Sequence, residues 1–216
     1  MGSEIAAIFG GAFVIALSGA LMPGPLLTLT VAHAARRGFI SGPLLMLGHA
    51  ALELALIAAL IYGLGPIIQK DAVKGAISIL GGGALLWMGV GMARSAGGMS
   101  LNIGGGEEKP AGAAANPVLA GALASVSNPY WIFWWATIGL GYLVSSMKLG
   151  AAGVAAFFLG HISADFLWYS AISLGVSGGR KLLTDEVYRA IVSVCGAALV
   201  GFGGWFLYAA AGYLLK

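Results

Sequence analysis

Two pairs of a histidine and an acid are the residues best placed to do chemistry. His49 precedes Glu53 by four residues, and His161 precedes Asp165 by the same spacing. If both segments are helical, each pair lies on one face of its helix. A carboxyl group beside an imidazole can exchange a proton, hold an ammonium group, or bind a divalent cation together with the histidine. The pairs therefore predict proton coupling or binding of a substrate ammonium group, with a metal site as the alternative.

Prolines define a second group of candidate residues. Pro23-Gly24-Pro25 and Asn128-Pro129 each lie near the middle of a long stretch without charged residues. Proline cannot donate the helical hydrogen bond, glycine accepts unusual backbone angles, and residues before proline avoid the helical conformation. We therefore expect two helices that are broken near their middle.

The predicted breaks have chemical consequences. A proline frees the carbonyl group four residues earlier, which predicts free oxygens at Gly19 and Ser125. Freed carbonyls suit an ammonium group or a cation, and the amino end of the half-helix that follows suits a carboxylate. Gly19 and Ser125 thus join the break residues as predicted substrate-binding residues. Trp168, shortly after Asp165, is predicted to add an aromatic wall.

The composition places these residues in a membrane. The chain has 216 residues, of which 59% are hydrophobic and 9% charged, whereas soluble domains carry about 25% charged residues. A spanning helix needs about 20 mostly apolar residues. Six stretches qualify, at residues 5–35, 38–65, 75–93, 117–147, 149–177 and 190–215. The sequence therefore predicts an all-α integral membrane protein of six transmembrane helices, with the first and fourth broken.

Charge and cysteine content argue against several other functions. The net charge of +3 is spread along the loops, so no surface for nucleic acid is expected. Cys195 is the only cysteine, which leaves neither a disulfide framework nor a two-thiol redox relay. No cofactor is predicted. The expected partners are a small-molecule substrate and the lipid membrane, and assembly into a homo-oligomer is left open.

The two halves of the sequence resemble each other. The Leu-Gly-His sequence that ends at His49 recurs ending at His161, and an acid follows four residues later in both places. Pro23 falls opposite Pro129, and the third and sixth hydrophobic stretches share a pattern of glycine and alanine. Because three helices per half is an odd number, the second half must enter the membrane in the opposite orientation. This pattern predicts an inverted repeat, which is typical of alternating-access transporters.

The repeat divides the chain into three parts. Residues 1–93 are predicted to form the first three-helix repeat, 94–116 a flexible linker rich in glycine and alanine, and 117–216 the second, inverted repeat. Lysine and arginine are more frequent in the loops after the first, third and fifth predicted helices. The positive-inside rule then places both termini outside the cell.

At the level of motifs, the chain resembles the lysine exporter (LysE) family of amino-acid translocators. The resemblance rests on the run from Ser18 to Pro25, Ser-Gly-Ala-Leu-Met-Pro-Gly-Pro, and on Ser127-Asn128-Pro129. It implies a multi-pass exporter of the prokaryotic inner membrane that moves amino acids outward, coupled to the proton or sodium gradient. Many members carry a lysine after the Asn-Pro pair, where this chain has Tyr130.

These observations together predict a secondary transporter that exports amino acids or related small solutes, and not an enzyme. One alternative is a divalent metal cation exporter that uses the two histidine and acid pairs. A more remote alternative is an intramembrane hydrolase with Ser18 or Ser163 as its nucleophile. Ser163 lies only two residues from His161, so on a helix it would face away from that base.

Overall fold

Every regular element that the structure describes is a helix. The computed structural model describes residues 2–68, 70–98, 116–179 and 184–214. The α-helices are α1 (Gly2–Ala20), α2 (Pro25–Arg37), α3 (Ser41–Ala59), α4 (Gly65–Ile68), α5 (Asp71–Ser95), α6 (Pro117–Val126), α7 (Pro129–Trp134), α8 (Leu140–Met147), α9 (Gly150–Gly178) and α10 (Asp185–Leu214). A π-helical turn follows α3 at Leu60–Leu64, another joins α7 to α8 at Trp135–Gly139, and a 3₁₀ turn follows α5 at Ala96–Gly98.

Five helical stretches in the described part of the chain are long and apolar enough to cross a membrane. They are Gly2–Ala20, Ser41–Gly63, Asp71–Gly98, Gly150–Gly178 and Asp185–Leu214. The fourth hydrophobic stretch, residues 117–147, instead contains α6, α7 and α8, each shorter than a span. The chain is thus an all-helical, multi-pass membrane protein, and the count of six spans stays a prediction. Most of the predicted linker, residues 99–115, lies outside the described residues.

The gap between α1 and α2 has a local cause in the sequence. The helical ladder stops at Leu21, whose amide donates to the Leu17 carbonyl, because Pro23 and Pro25 have no amide hydrogen to continue it. Gly24 is fully extended, with φ −170° and ψ −166°. Pro25 then occupies the first position of α2, where its missing donor has no cost.

The gap between α6 and α7 is shorter. It consists of Ser127 and Asn128, and Asn128 has φ −88° and ψ 108°. The side chain of Asn128 accepts a hydrogen bond from the Tyr130 amide at 3.1 Å, so it caps α7. Pro129 begins α7 at its first position, as Pro25 begins α2.

Close glycine contacts join the helices in three pairs. Helix α3 packs on α6, α1 on α9, and α5 on α10. A Cβ atom on Gly48 of α3 would collide with the Val118 carbonyl of α6, and one on Gly160 of α9 would collide with the Phe9 carbonyl of α1. Without a hydrophobic push between helices in lipid, such small residues let backbones approach and gain van der Waals contact.

Helices α3 and α9 also pack on each other, and they run antiparallel. Near one end, Gly42 of α3 lies against Tyr169 and Ser173 of α9. Toward the other end, Ile57 of α3 shares an apolar groove with Val154 of α9. The middle turns of the two helices therefore face each other, and these turns carry both histidine and acid pairs.

Candidate functional site

Both histidine and acid pairs meet in one cluster at the centre of the molecule. His49 and Glu53 project from α3, and His161 and Asp165 from α9. All four side chains are buried, and Glu53 is only 1% exposed. One ligand atom from each of them lies within 4.8 Å of the other three. The i, i+4 spacing puts each pair on one helix face, and the antiparallel packing brings the two faces together.

Each histidine contacts both carboxylates through Nε2. His49 Nε2 lies 3.1 Å from Glu53 Oε1 and 3.7 Å from Asp165 Oδ2. His161 Nε2 lies 3.0 Å from Glu53 Oε2 and 3.4 Å from Asp165 Oδ2. Histidines and acids therefore alternate around a small ring, so each imidazole contacts an acid of its own helix and one of the other helix.

Two tryptophans hold the Glu53 carboxylate. The indole nitrogen of Trp131 donates to Glu53 Oε1 at 3.0 Å, and that of Trp135 donates to the same oxygen at 2.9 Å. The sequence analysis did not identify this role of the tryptophans after Pro129. The spacing of four residues between Trp131 and Trp135 is the signal that could have shown one shared face.

A serine fixes the orientation of His49. The Nδ1 atom of His49 lies 2.7 Å from Ser125 Oγ, and Ser125 Oγ donates its single hydrogen to the Gly121 carbonyl at 2.8 Å. Ser125 therefore accepts a hydrogen bond from His49, so Nδ1 carries the hydrogen.

The carbonyls of Gly19 and Ser125 were expected to be free, which is wrong: they accept from the amides of Met22 at 3.1 Å and Asn128 at 3.0 Å, because the chain closes a tighter turn before each proline. The hydroxyl of Ser125 is the group that contacts the cluster.

Two oxygens in the cluster are buried and accept no hydrogen bond from the described residues. They are Glu53 Oε2 and Asp165 Oδ2. Both lie within ion-pair distance of a histidine nitrogen. Buried carboxylate oxygens of this kind are costly unless a cation or donor reaches them, so these two oxygens are suited to bind one.

One cavity connects the cluster with both helix gaps. Its empty volume is about 530 Å³, which includes space open to the outside. Gly19, Gly24, Ser125 and Asn128, all predicted as substrate-binding residues, line it together with the four cluster residues. The rest of the lining is Ala16, Ala20, Met22, Leu26, Tyr130, Trp131, Trp134 and Tyr169.

The other predicted residues lie near this cavity without lining it. Pro23 is in the gap itself, Pro25 contributes to a separate surface pocket beside Trp87, and Pro129 is buried at the start of α7. The indole nitrogen of Trp168 is buried without a hydrogen-bond partner among the described residues. These prolines therefore interrupt the helical backbone, while their neighbours Gly24 and Asn128 line the cavity.

The two serines considered as nucleophiles do not contact a histidine base. Ser18 Oγ donates to the Ile15 carbonyl, and Ser163 Oγ donates to the Leu159 carbonyl. The Ser18 backbone carbonyl accepts from the Tyr130 hydroxyl at 3.2 Å. The geometry thus gives no support to hydrolysis at either position.

Comparison with known proteins gives one match. A family model described as LysE type translocator matches residues 17–210. The matched range covers most of the chain, including both helix gaps and all four cluster residues. No curated protein and no solved structure matches the chain.

Proposed function

The chain belongs to the LysE type translocator family, and we propose that it exports amino acids or related small solutes by secondary transport, driven by a proton or sodium gradient. The observation that carries this proposal is the cavity that joins two helix gaps to a buried charged cluster. We place the protein in the prokaryotic inner membrane, where exporters that use such gradients work.

The proposed architecture is an inverted repeat of residues 1–93 and 117–216. The packing supports it, because the first half-helix of each repeat lies on the second long helix of the other repeat. That is, α1 packs on α9, and α6 packs on α3. Gly48 and Gly160, which are equivalent in the repeat, make these two contacts. In this architecture α2 and α7 are the second halves of broken helices, as in other inverted-repeat transporters.

The amino end of α2 is the proposed site for a substrate carboxylate. The amides in the first turn of a helix have no partner within the helix, and the end carries partial positive charge. Gly24 precedes α2 and has no side chain to cap it, and Leu26 of the first turn lines the cavity. The first turn of α7 differs, because Asn128 already caps it. We therefore assign the carboxylate to α2.

Asp165 is the proposed partner of the substrate ammonium group. Its Oδ2 atom is buried and accepts no hydrogen bond from the described residues, whereas Glu53 Oε1 already accepts from two tryptophans. Gly24 and Asp165 line the same cavity. An α-amino acid would thus place its two charges against two complementary groups of the protein.

Efflux from proteoliposomes tests this proposal. Vesicles containing the purified protein are loaded with one radiolabelled amino acid at a time, and release is followed after a proton or sodium gradient is applied. We expect release of at least one amino acid above protein-free vesicles. Asp165→Asn, which preserves shape, should reduce release at least tenfold, while Asp71→Asn at the start of α5 should not. Absence of release for every amino acid, with correctly inserted protein, would reject the proposal.

The same vesicles test the divalent-cation alternative, because it uses the same four side chains. They are loaded with Zn²⁺ or Mn²⁺ and an impermeant fluorescent chelator outside reports release. Gradient-driven metal release without amino-acid release would select metal export.

A further inference from the structure

The cluster of His49, Glu53, His161 and Asp165 has the dimensions of a metal site. A tetrahedral ion with bonds of about 2.0–2.1 Å keeps its ligand atoms about 3.3–3.4 Å apart. The four distances between histidine nitrogens and carboxylate oxygens are 3.1, 3.7, 3.0 and 3.4 Å. These four separations are within a few tenths of an ångström of the tetrahedral value. The two remaining separations, between the two nitrogens and between the two oxygens, are at most 4.8 Å, so an ion must draw those pairs closer by up to about 1.4 Å.

The hydrogen bonds around the cluster leave one free ligand atom on each of three side chains. Because His49 Nδ1 donates to Ser125, the Nε2 atom of the neutral ring presents its lone pair to the centre. Because two tryptophans donate to Glu53 Oε1, the Oε2 atom is left for an ion. Asp165 Oδ2 is buried and accepts no hydrogen bond from the described residues. His161 Nε2 faces both of these oxygens.

The total charge of the four side chains indicates which ion they would bind. Two ionised carboxylates with two neutral imidazoles carry two negative charges, which a divalent ion cancels and a monovalent ion does not. A net charge is costly inside a membrane protein. Two imidazole nitrogens in the ligand set favour transition metals, since Mg²⁺ and Ca²⁺ prefer ligands that are all oxygen.

In most metal sites, hydrogen bonds from neighbouring groups orient the side chains that bind the ion. Here Ser125 orients His49, and Trp131 and Trp135 orient Glu53. Trp134 and Phe157 rings pack near the His161 ring, with centroids 4.8 Å and 6.0 Å away. His49 and Glu53 are thus held by hydrogen bonds before an ion arrives, whereas His161 Nδ1 has no hydrogen-bond partner among the described residues and its ring is held by packing alone.

From this geometry we infer that His49 Nε2, His161 Nε2, Glu53 Oε2 and Asp165 Oδ2 bind one divalent transition-metal ion of the Zn²⁺ class. The ion lies at the inner wall of the cavity, in contact with both repeats, and joins α3 to α9. The ion and the substrate ammonium group both need Asp165 Oδ2, so they bind alternately and not together. The ion-bound form goes beyond the export of amino acids, because it needs no amino acid and no gradient.

Cobalt titration of the purified protein tests the inference directly. The protein is extracted in detergent, stripped with a chelator and titrated with CoCl₂, because tetrahedral Co²⁺ absorbs visible light far more strongly than hydrated Co²⁺. We expect the intense bands to saturate at one Co²⁺ per chain and to vanish when one equivalent of ZnCl₂ is added. Saturation without tetrahedral bands, or no stoichiometric binding, would overturn the inference.

Matched variants locate the ion. His49→Gln and His161→Gln should each weaken Co²⁺ binding at least tenfold. His33→Gln, at the one histidine of the chain outside the cluster, should leave Co²⁺ binding unchanged. His33 is buried like the other two, so it controls for loss of a buried imidazole. Ser125→Ala keeps all four ligands and should weaken binding about 10–100-fold by releasing His49, which provides a test if a ligand variant fails to fold. Unchanged binding in both ligand variants would place the ion elsewhere and reject the site.

Failure of this inference and failure of the proposed export are separate results. Metal binding is measured in detergent without any gradient, and amino-acid efflux is measured in vesicles that contain a chelator. If the vesicles show amino-acid efflux but the protein in detergent binds no Co²⁺, the metal site is rejected and the export proposal stands.

Discussion

At the scale of single residues, Glu53 shows how a buried charge is kept in a membrane helix. Its carboxylate lies in the middle of α3, where lipid would exclude it. Two indole groups and two imidazole groups surround it within hydrogen-bond distance. The Glu53 carboxylate therefore depends on indole donors from α7 and from the π-helical turn that follows it, which α3 alone could not provide.

Removal of one indole donor should destabilise the protein. Trp131→Phe and Trp135→Phe keep an aromatic ring but delete a hydrogen bond to a carboxylate, which is worth about 1.5–3 kcal/mol. Each variant should unfold more readily in a denaturant series in mixed micelles. Trp87→Phe is the matched control, because Trp87 is 79% exposed, and it should change the free energy of unfolding little. Equal stability of all three variants would contradict the hydrogen bonds described here.

The cluster could be predicted from the sequence, but the surroundings of its members could not. The repeated spacing of His49 and Glu53 with His161 and Asp165 is a local feature, and helix periodicity turns it directly into geometry. The donations by Trp131 and Trp135 to Glu53 depend on the path of the chain after α6. That path includes the gap before α7 and the π-helical turn that begins at Trp135, and the local sequence does not show which helix the two indole groups will face.

At the scale of elements, the two helix gaps have different geometries, although a proline begins the helix that follows each of them. The gap before α2 spans residues 21–24 and ends at Gly24, which has no side chain to cap the helix. The gap before α7 spans residues 127–128 and ends at Asn128, whose side chain caps the helix. Proline content predicted both interruptions. The sequence could not show that one amino end stays open to the cavity, because that depends on which side chain folds back onto the helix.

Restoring the helical bond at the gaps should impair transport more than insertion. Pro23→Ala and Pro129→Ala each supply an amide hydrogen where proline has none, and an added helical turn would fill part of the cavity. We expect at least a tenfold lower rate of efflux with normal membrane yield. Pro117→Ala, at the first position of α6 and away from the cavity, should transport normally. Normal efflux in both gap variants would mean that the prolines serve packing alone.

The glycine contacts between helices should tolerate no side chain. Gly48→Ala puts a Cβ atom into the Val118 carbonyl, so α3 and α6 must separate, and overpacking of this kind costs about 1–3 kcal/mol. Gly83→Ala in α5 is the control, since a Cβ atom there meets nothing within 4 Å. Thermal stability in detergent should fall for the first variant and hold or rise for the second. A stable Gly48→Ala protein would show that this interface is looser than described.

At the scale of the whole molecule, helix packing supports the proposed repeat. If the two halves are repeats, the contacts of α1 with α9 and of α6 with α3 are equivalent, and α5 with α10 joins the last helix of each half. The similarity of the two sequence halves favoured this relation. It could not give the contacts themselves, since which helices touch across the repeats depends on tertiary packing at positions such as Gly48 and Gly160.

The proposed inverted repeat makes a topological prediction about the residues that precede α3 and α9. Phe39 precedes α3 and Lys148 precedes α9, and both side chains are exposed. Helices α3 and α9 pack antiparallel, so these two starting points lie at opposite ends of the pair. In a bilayer they should therefore face opposite sides of the membrane.

Single-cysteine labelling measures this directly. Cys195 is first replaced by alanine, which is a small change at a buried position, and then Phe39→Cys or Lys148→Cys is introduced. A membrane-impermeant maleimide applied to intact cells should label only one of the two variants, and both should react after the cells are opened. The positive-inside rule identifies the externally labelled one as Lys148→Cys, because Arg36 and Arg37 lie beside Phe39. Labelling of both from outside would refute the inverted repeat, and with it the assignment of α2 and α7 as matching halves of broken helices.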